Sequence, residues 1–322
     1  MIQCLLSLVL CVSPLFASAI QQIDEEILHR VSISPTEITQ IQKLESYTNH
    51  NYLVTTNKKK VVVRIPGDIS HLYIDRQIEH DNYLIAKEYG FDPLNVLFFD
   101  PSDGLQVTDY LEEGKFIHHE KLTDSLLIDV AKLLQHLHGQ SFKFSNSFNP
   151  FIRLKAILEN LQKDAVLPLH FVTAQKTIRK MEKQYKKKLF ISHPCHNDPV
   201  PSNFVRFDQK MGLIDWEYAG NNDPGWDLSN FVLLSGLNEE QTETFIHAYS
   251  SKDYEEFGAK VIFFKPLIHL TISAWAALKA KNCAEDLVSS FQQLSNSQFE
   301  KYRIEVSSKK FKAILKKYES MN

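Results

Sequence analysis

Three oxygen-bearing side chains in two nearby segments have the types and spacing that metal-assisted transfer chemistry needs. Asp198 and Asn203 are separated by four residues. Further along the chain, Asp215 comes immediately after the apolar pair Leu213-Ile214. One carboxylate can orient an accepting hydroxyl and take its proton, while an amide oxygen and a second carboxylate can hold Mg²⁺ against the phosphates of ATP. The spacing therefore predicts Asp198 as a base, with Asn203 and Asp215 as metal ligands, in phosphoryl transfer.

Other interpretations of this segment are open. The same acids could face water in a polar turn between two strands. His193, Cys195 and His196 could ligate zinc, but a zinc site needs three or four ligands at regular spacing, and the chain has no C-x-x-C or H-x-x-x-H pair. We expect His196 to lie beneath the loop and to hydrogen-bond its backbone, which would shape the catalytic segment.

The bulk composition limits the class of protein. The chain has 322 residues, 43% of them hydrophobic, which is enough for one large domain or two ordinary ones. A net charge of -3 gives no basic excess to attract nucleic acid or an anionic membrane. Beyond the N-terminal apolar run only Cys195 and Cys283 remain, which fits a reducing compartment. We expect a small-molecule partner and no nucleic acid, and the sequence gives no oligomeric state.

Residues 1–19 form a possible signal peptide or apolar leader. The run ends in Ala17-Ser18-Ala19, which is typical of a signal-peptidase site, but no Lys or Arg precedes it. The run is also too short to span a bilayer securely. An uncleaved anchor and a different start are the alternatives. Because an ATP-using enzyme needs ATP, we expect a cytoplasmic protein.

A cation in a predicted strand points to a phosphate site. Arg64 follows three valines in a strand pattern ended by Pro66, and the periodic helix over 74–89 carries Glu79. In kinases a strand cation at this place holds the ATP phosphates and pairs with a glutamate of the next helix. We therefore predict that Arg64 pairs with Glu79; the alternative is that both face water.

Further strands are predicted at 51–55, 95–99 and 105–111. The last one ends at Glu112-Glu113-Gly114. In a kinase-like fold this segment is the hinge, where the backbone of Asp109 and Tyr110 would contact the adenine edge. A plain exit from strand to turn is the alternative.

The remainder of the chain is predicted to be helical. Helices are expected over 122–138, 238–251 and 260–280, as a pair within 151–187 broken near Pro168, and as one or two within 291–318. The length and polar interruptions of 260–280 argue against a membrane span, and Pro266 is expected to break or kink it. Asp227 either caps the helix that follows the catalytic segment or reaches back to fix the catalytic loop.

Several motifs together resemble a known family. They are T-N-x-N-Y-L-V at 48–54, V-R-I-P-G at 63–67, I-D-R-x-x-E at 74–79, H-N-D-x-x-x-x-N at 196–203 and I-D-W-E-Y-A-G-x-N-D-P-x-W-D-L at 214–228. The chain resembles the choline/ethanolamine kinases, within the aminoglycoside-phosphotransferase group of protein-kinase-like folds. The bacterial choline kinases of lipopolysaccharide decoration look closest.

The resemblance implies an α+β, two-lobed protein-kinase-like fold. Residues 20–111 would form a small ATP-binding lobe with an antiparallel sheet, and 112–322 a larger, mostly helical catalytic and substrate-binding lobe. The implied activity is ATP- and Mg²⁺-dependent phosphorylation of choline or a closely related amino alcohol. Tyr218 and Trp275 would face the quaternary ammonium, with Glu217 as the nearby acid, because a trimethylammonium has no N–H and is recognised by aromatic faces.

Two features depart from the family pattern. Residues 44–52 contain no glycine, so the phosphate contacts there would come from Ser46, Thr48 or Asn49. Ile272 stands where many choline kinases place a second cage tryptophan. A related kinase for ethanolamine, thiamine or an aminoglycoside therefore stays open. A catalytically inactive binding protein is a further alternative, against which the intact catalytic set speaks.

Overall fold

The computed structural model describes residues 23–44, 46, 48–67, 69–163, 167–189 and 192–320. The leader predicted at 1–19 lies outside these residues. The chain divides into two compact units: a sheet unit, Met1–Ser70 with Leu94–Glu113, and a helical unit, His71–Pro93 with Gly114–Asn322. The predicted boundary between the two lobes lay after residue 111. In the structure, the helix that precedes Gly90 belongs to the helical unit and not to the N-terminal one.

The sheet unit is built on five antiparallel strands in the spatial order β1-β2-β3-β5-β4. Their bounds are β1 Ile38–Leu44, β2 His50–Thr56, β3 Lys60–Ile65, β4 Val96–Phe99 and β5 Gln106–Asp109, preceded by the short helix α1 Glu25–Arg30 and a 3₁₀ turn at Pro35–Glu37. Strand β1 was not predicted. Only Ile41 is buried along its seven residues, so its sequence lacks the apolar alternation that marked its neighbours.

The core of the sheet unit comes from alternate strand residues packed against α1. Val54 of β2, Val61 and Val63 of β3 and Val107 of β5 are buried together with Leu28 of the helix. Side chains alternate between the two faces of a strand, so the intervening residues point the other way. Arg64 of β3 follows Val63 and is itself buried.

The helical unit contains nine described α-helices and two small sheets. The helices are α2 Arg76–Glu88, α3 Asp124–His138, α4 Pro150–Gln162, α5 Leu169–Gln184, α6 Pro224–Leu234, α7 Glu239–Tyr249, α8 Tyr254–Asn282, α9 Glu285–Ser307 and α10 Lys309–Ser320. The strands are β6 Lys115–Phe116, β8 Phe204–Phe207 and β9 Lys210–Leu213 in one sheet, and β7 His193–Cys195 with β10 Gly220–Asn222 in the other. Short 3₁₀ turns lie at Ile117–His119 and Pro201–Asn203, and a π-helical turn lies at Tyr185–Leu189. The α+β class, with an antiparallel sheet and a mostly helical remainder, is confirmed.

Side-chain caps fix where the helices begin. Asp75 accepts the backbone N–H groups of Gln77 and Ile78 at the start of α2, and Thr123 accepts that of Leu126 at the start of α3. Each cap satisfies a donor that the first helical turn leaves without a partner. These two helices therefore begin two residues later than the apolar pattern alone suggested.

Helix α8 runs unbroken through Pro266, so of the two outcomes predicted there, a break or a kink, the break is wrong. The proline is buried and the helix packs against α4, α6 and α9, and this packing outweighs the local cost of a missing N–H. Among the described residues α8 is the one helix long and apolar enough to cross a bilayer. Of its most apolar stretch 67% is buried within the chain, as in the core helix of a folded domain.

Candidate active site

The catalytic segment is a loop between two small sheets. It leaves β7 at Cys195, passes through Asp198 to the 3₁₀ turn at Pro201–Asn203, and continues into the β8–β9 hairpin. Asn197 and Asp215 have φ angles of 66° and 69°. Asn and Asp tolerate this left-handed region better than most side chains, so both residue types suit the two sharp bends that bound the site.

Asp227 fixes this loop from the first turn of α6. Its carboxylate accepts the backbone N–H groups of His196 and Asn197, both at 2.8 Å, and is completely buried. His138 Nε2 lies 3.1 Å from the same carboxylate. The helix cap is a different residue, Asp223, which accepts the N–H of Gly225. Of the two roles open for Asp227, the structure shows the loop-fixing one.

Asn197 ties the loop to the strand that follows the second acid. Its Nδ2 donates to the carbonyl oxygens of Tyr218 at 3.0 Å and Gly220 at 3.2 Å. Its Oδ1 accepts from Asn222 at 2.8 Å, and its backbone carbonyl accepts the indole N–H of Trp226 at 3.1 Å. The sequence analysis gave Asn197 no role, since a buried amide network has no signature in linear spacing.

His196 lies beneath the loop as a positioning residue. Its Nε2 is 2.9 Å from the carbonyl oxygen of Ile214, and the backbone N–H of Asp198 donates to its Nδ1 at 3.3 Å. Burial lowers the pKa of His196, so the ring is neutral with its proton on Nε2. The imidazole therefore links the base segment to the segment of the second acid.

The predicted base and the two predicted metal ligands lie in segments that are hydrogen-bonded to each other. Asn203 Nδ2 donates to the carbonyl oxygen of Asp198 at 2.9 Å, and the backbone N–H of Ile214 donates to the carbonyl oxygen of Asn203 at 2.9 Å. The first bond uses the amide nitrogen of Asn203 and leaves its side-chain oxygen as the atom for a cation. Asp215 follows Ile214 directly, so the structure joins the two segments that carry the predicted metal ligands.

The donor set around Asp215 fits a hard divalent cation. One carboxylate oxygen from each of Glu79, Asp215 and Glu217 lies within 4.8 Å of the other two. Carboxylate and amide oxygens are the ligands that Mg²⁺ prefers. Arg76 Nη1 lies 2.6 Å from Glu79 and 3.2 Å from Glu217, and all three side chains are buried. Arg76, to which the sequence analysis gave no role, thus fixes two of these acids.

Asp198 has a perturbed acidity. Burial of its carboxyl group, followed by the negative charge of Glu217, raises the pKa of Asp198 to about 7, while Arg153 lowers it and Asp227 raises it further. A general base works best when its pKa lies near the working pH. The environment of Asp198 therefore suits a group that takes a proton at neutral pH.

Four aromatic residues gather beside these acids. The indole N–H of Trp275 donates to the Tyr73 hydroxyl at 3.3 Å. The Arg153 guanidinium lies 3.9 Å from the ring centre of Tyr218, 5.5 Å from that of Tyr73 and 5.8 Å from that of Phe148. We call Tyr73, Phe148, Tyr218 and Trp275 the aromatic cluster. Tyr218 and Trp275 were predicted from the family resemblance, whereas Tyr73 and Phe148 lie outside the motifs and were not.

The predicted nucleotide residues belong to the sheet unit, apart from Glu79. Arg64 Nη2 donates to the carbonyl oxygen of Gly104 at 3.1 Å, and Asn49, immediately before β2, is buried. The Asp109 carboxylate accepts from Asn95 at 2.8 Å. The backbone N–H of Tyr110 donates to the carbonyl oxygen of Lys60 at 3.2 Å. Their contacts to ATP, and the pairing of Arg64 with Glu79, stay predictions.

Two of the residues considered as zinc ligands, His193 and Cys195, make other contacts. His193 Nδ1 lies 2.6 Å from the carbonyl oxygen of His138, and Cys195 Sγ donates to that of Asn222 at 3.4 Å. Burial raises the pKa of the Cys195 thiol well above its usual value.

Comparison with known proteins identifies a family and relatives for this chain. Residues 40–259 match the phosphotransferase enzyme family. Protein LicA of Haemophilus influenzae is 29% identical over 211 residues, which are 64% of this chain and 77% of that protein.

Two solved structures show the same fold. The crystal structure of choline kinase LicA from Streptococcus pneumoniae matches with a TM-score of 0.72 and 26% identity, over 86% of this chain and 98% of that one. The crystal structure of LicA in complex with AMP matches with a TM-score of 0.74 and 26% identity, over 87% and 99% of the two chains. These matches confirm the kinase-like fold and the resemblance to choline/ethanolamine kinases.

Proposed function

The chain belongs to the phosphotransferase enzyme family, and from that membership we propose that it transfers the γ-phosphoryl group of ATP to the hydroxyl of choline or a closely related amino alcohol. The proposal rests mainly on two hydrogen bonds. One joins Asn203 to Asp198, and the other joins Asn203 to Ile214, the residue before Asp215. The class of enzyme is a kinase-type phosphotransferase that acts on an alcohol. We propose a cytoplasmic location, where ATP is available.

Asp198 acts as the general base. The proton of the substrate hydroxyl passes to its carboxylate, the alcohol oxygen bonds to the γ-phosphorus, and the bond from phosphorus to the β–γ bridging oxygen breaks to leave ADP. Asp227 holds the loop that presents this carboxylate, and His196 holds it against the neighbouring segment. Because phosphoryl transfer depends mainly on positioning and charge, such fixed backbone geometry contributes directly to rate.

Asn203 and Asp215 would hold Mg²⁺, with Glu79 and Glu217 close to Asp215. The ion supplies charge neutralisation on the transferring phosphates. Arg64 would bind ATP phosphates in the sheet unit, and the backbone at Asp109 and Tyr110 would contact the adenine. The relative whose structure contains AMP supports a nucleotide site on this fold.

The aromatic cluster would receive the substrate's cation. A quaternary ammonium makes no N–H hydrogen bond, so its affinity comes from ring faces, worth ~0.5–2 kcal/mol each, and from fixed negative charge. Tyr218 and Trp275 provide ring faces, and Glu217, adjacent to Tyr218 in sequence, provides the charge. The names of the relatives, choline kinase among them, agree with this substrate class.

Ethanolamine is the second candidate substrate, because Ile272 lies where a further cage tryptophan stands in many family members. An ethanolamine headgroup carries N–H donors and depends less on aromatic faces. Thiamine also carries a quaternary nitrogen. An aminoglycoside site should be rich in acids near the C-terminal helices, and Lys279 and Lys281 of α8 disfavour it.

A substrate panel tests the proposal. Purified protein with ATP and Mg²⁺ is offered choline, ethanolamine, thiamine and kanamycin separately, and products are followed by ³¹P NMR. We expect a phosphocholine resonance, a smaller product signal with ethanolamine, and loss of both when EDTA removes the metal. Product only with thiamine or kanamycin would overturn the substrate class. No product with any of them, and no stabilisation of the protein by Mg-ATP, would favour an inactive binding protein.

A further inference from the structure

A cation of the chain itself occupies the aromatic cluster. Arg153 lies in the first turn of α4, where Asn149 caps the helix. Its guanidinium carbon is 3.9 Å from the ring centre of Tyr218, close enough for stacking, and Nη1 donates to the carbonyl oxygen of Tyr73 at 3.2 Å. Guanidinium groups favour such planar contact with aromatic faces.

We propose that Arg153 is an intramolecular competitor for the substrate's cation: in the free protein its guanidinium covers the Tyr218 ring face, and it must leave before a quaternary ammonium can bind there. This inference rests on the proposed function. Two cations cannot share one ring face at contact distance, since each would occupy the same volume and repel the other. Binding is then an exchange of one cation for another, and Arg153 becomes a determinant of substrate affinity.

The contacts of Arg153 suit a side chain that can be displaced. Within the part of the chain that the structure describes, it forms no salt bridge, and its side-chain hydrogen bond goes to a neutral carbonyl. Arg76 in the same unit contrasts with it, because Glu79 and Glu217 hold that guanidinium at 2.6 Å and 3.2 Å in full burial. Arg153 is half-buried and can place its charge in water when it leaves.

The exchange has a measurable cost for the substrate. When the competent form of a site is only partly populated, the observed Kd is the intrinsic Kd divided by that fraction. Removing the guanidinium from the aromatic faces should tighten choline binding by ~3- to 10-fold, which corresponds to ~0.6–1.4 kcal/mol. The opposite sign is expected if Arg153 instead helps to hold the substrate.

The test is a titration of choline into Arg153→Gln, Arg153→Lys and wild-type protein by isothermal titration calorimetry. We expect Kd to fall ~3- to 10-fold in Arg153→Gln. In Arg153→Lys it should fall less, because the ammonium stacks less well than the guanidinium but still places a cation beside the rings. KM for choline should fall in parallel. The matched control is Arg179→Gln on the exposed face of α5, which should leave Kd unchanged. If Arg153→Gln does not fold, the smaller decrease in Arg153→Lys carries the test.

A double-mutant cycle adds a second readout. Tyr218→Leu removes the shared ring, so Arg153→Gln should tighten choline binding much less in that background than in the wild type. A Kd that is unchanged or raised in Arg153→Gln, with a wild type that phosphorylates choline, overturns this inference alone. A wild type that phosphorylates neither choline nor ethanolamine overturns the proposed function, and the inference with it.

Discussion

The buried carboxylate of Asp227 accepts the backbone N–H of Asn197 at 2.8 Å, although 29 residues separate the two in sequence. The next backbone N–H towards the N-terminus, that of His196, donates to the other carboxylate oxygen. A charged acceptor for two adjacent backbone donors holds both peptide planes of a loop at once. The position of Asp198, the next residue along the chain, therefore depends on a side chain of helix α6.

Asp227→Asn should damage both stability and rate. An amide offers one oxygen in place of two and turns an N–H₂ group toward the loop donors, so ~2–4 kcal/mol of unfolding free energy should be lost. A fall in kcat of at least ~10-fold should accompany it, because Asp198 loses its fixed position. Chemical denaturation and initial rates measure the two effects.

The matched control for this change is Asp129→Asn. Asp129 forms an exposed ion pair with Arg206 at 3.1 Å, and such pairs contribute only ~0–1 kcal/mol. Wild-type stability in Asp227→Asn would contradict the loop-fixing role.

The rate should depend on pH through Asp198. Its pKa of about 7 means that the proton-accepting carboxylate is lost as the pH falls through neutrality. We expect kcat/KM to be level above about pH 8 and to fall ~10-fold per unit below about pH 6. Return of acid-incubated enzyme to pH 8 controls for unfolding. A profile that stays level to about pH 5 would indicate an ordinary carboxyl pKa of ~3.9.

Asp198 should also destabilise the folded chain at high pH. Its folded pKa of about 7 exceeds the unfolded value of ~3.9, so the folded state binds more protons between these values and loses relative stability as pH rises. Asp198→Asn removes that cost. We expect its Tm to exceed that of wild type by ~2–4 °C at pH 8, with the gap closing toward pH 5. Asp208→Asn, in an exposed turn, should change Tm little at either pH, and an equal gap at both pH values would contradict the linkage.

Two glycines in the helical unit form a matched pair for stability. A Cβ on Gly225 would lie 2.7 Å from Lys260 Cβ and 3.0 Å from Asp223 Oδ1, where Lys260 and Asp223 form a buried ion pair at 3.0 Å. Gly225→Ala should therefore cost ~1–3 kcal/mol. A Cβ on Gly258 in α8 meets nothing within 4 Å. Gly258→Ala should stabilise the helix by ~0.5–1 kcal/mol. Thermal melting of both variants measures the difference, and equal effects would contradict the packing described at Gly225.

The candidate catalytic segment could be recognised in the sequence because its residues lie at short spacings. Asp198, Asn203 and Asp215 lie within 18 consecutive residues, and the turn and hairpin between them bring the segments together. Helices with long apolar periods were likewise predicted with the correct type. Strand β10 was missed because its three residues, Gly220–Asn222, carry no apolar alternation and pair with β7 only in the folded chain.

Residues whose partners are distant in sequence could not be found in this way. Arg76 meets Glu217 across 141 residues, and Tyr73 meets Trp275 across 202. Linear spacing contains no information about such pairs. Trp275 was predicted only through the family resemblance. Arg153 lay within a predicted helix and was assigned no role. Its contact with Tyr218 depends on the tertiary packing of α4.

The most direct test of the account is phosphocholine formation by wild type and by Asp198→Asn under identical Mg-ATP and choline concentrations. A general base contributes typically 10²–10⁴-fold, so the variant should lose at least ~100-fold in kcat while its circular dichroism spectrum and its stabilisation by Mg-ATP persist. Asp208→Asn should retain full activity. A folded Asp198→Asn that loses less than ~10-fold would contradict the assignment of Asp198 as the base on which the proposed reaction depends.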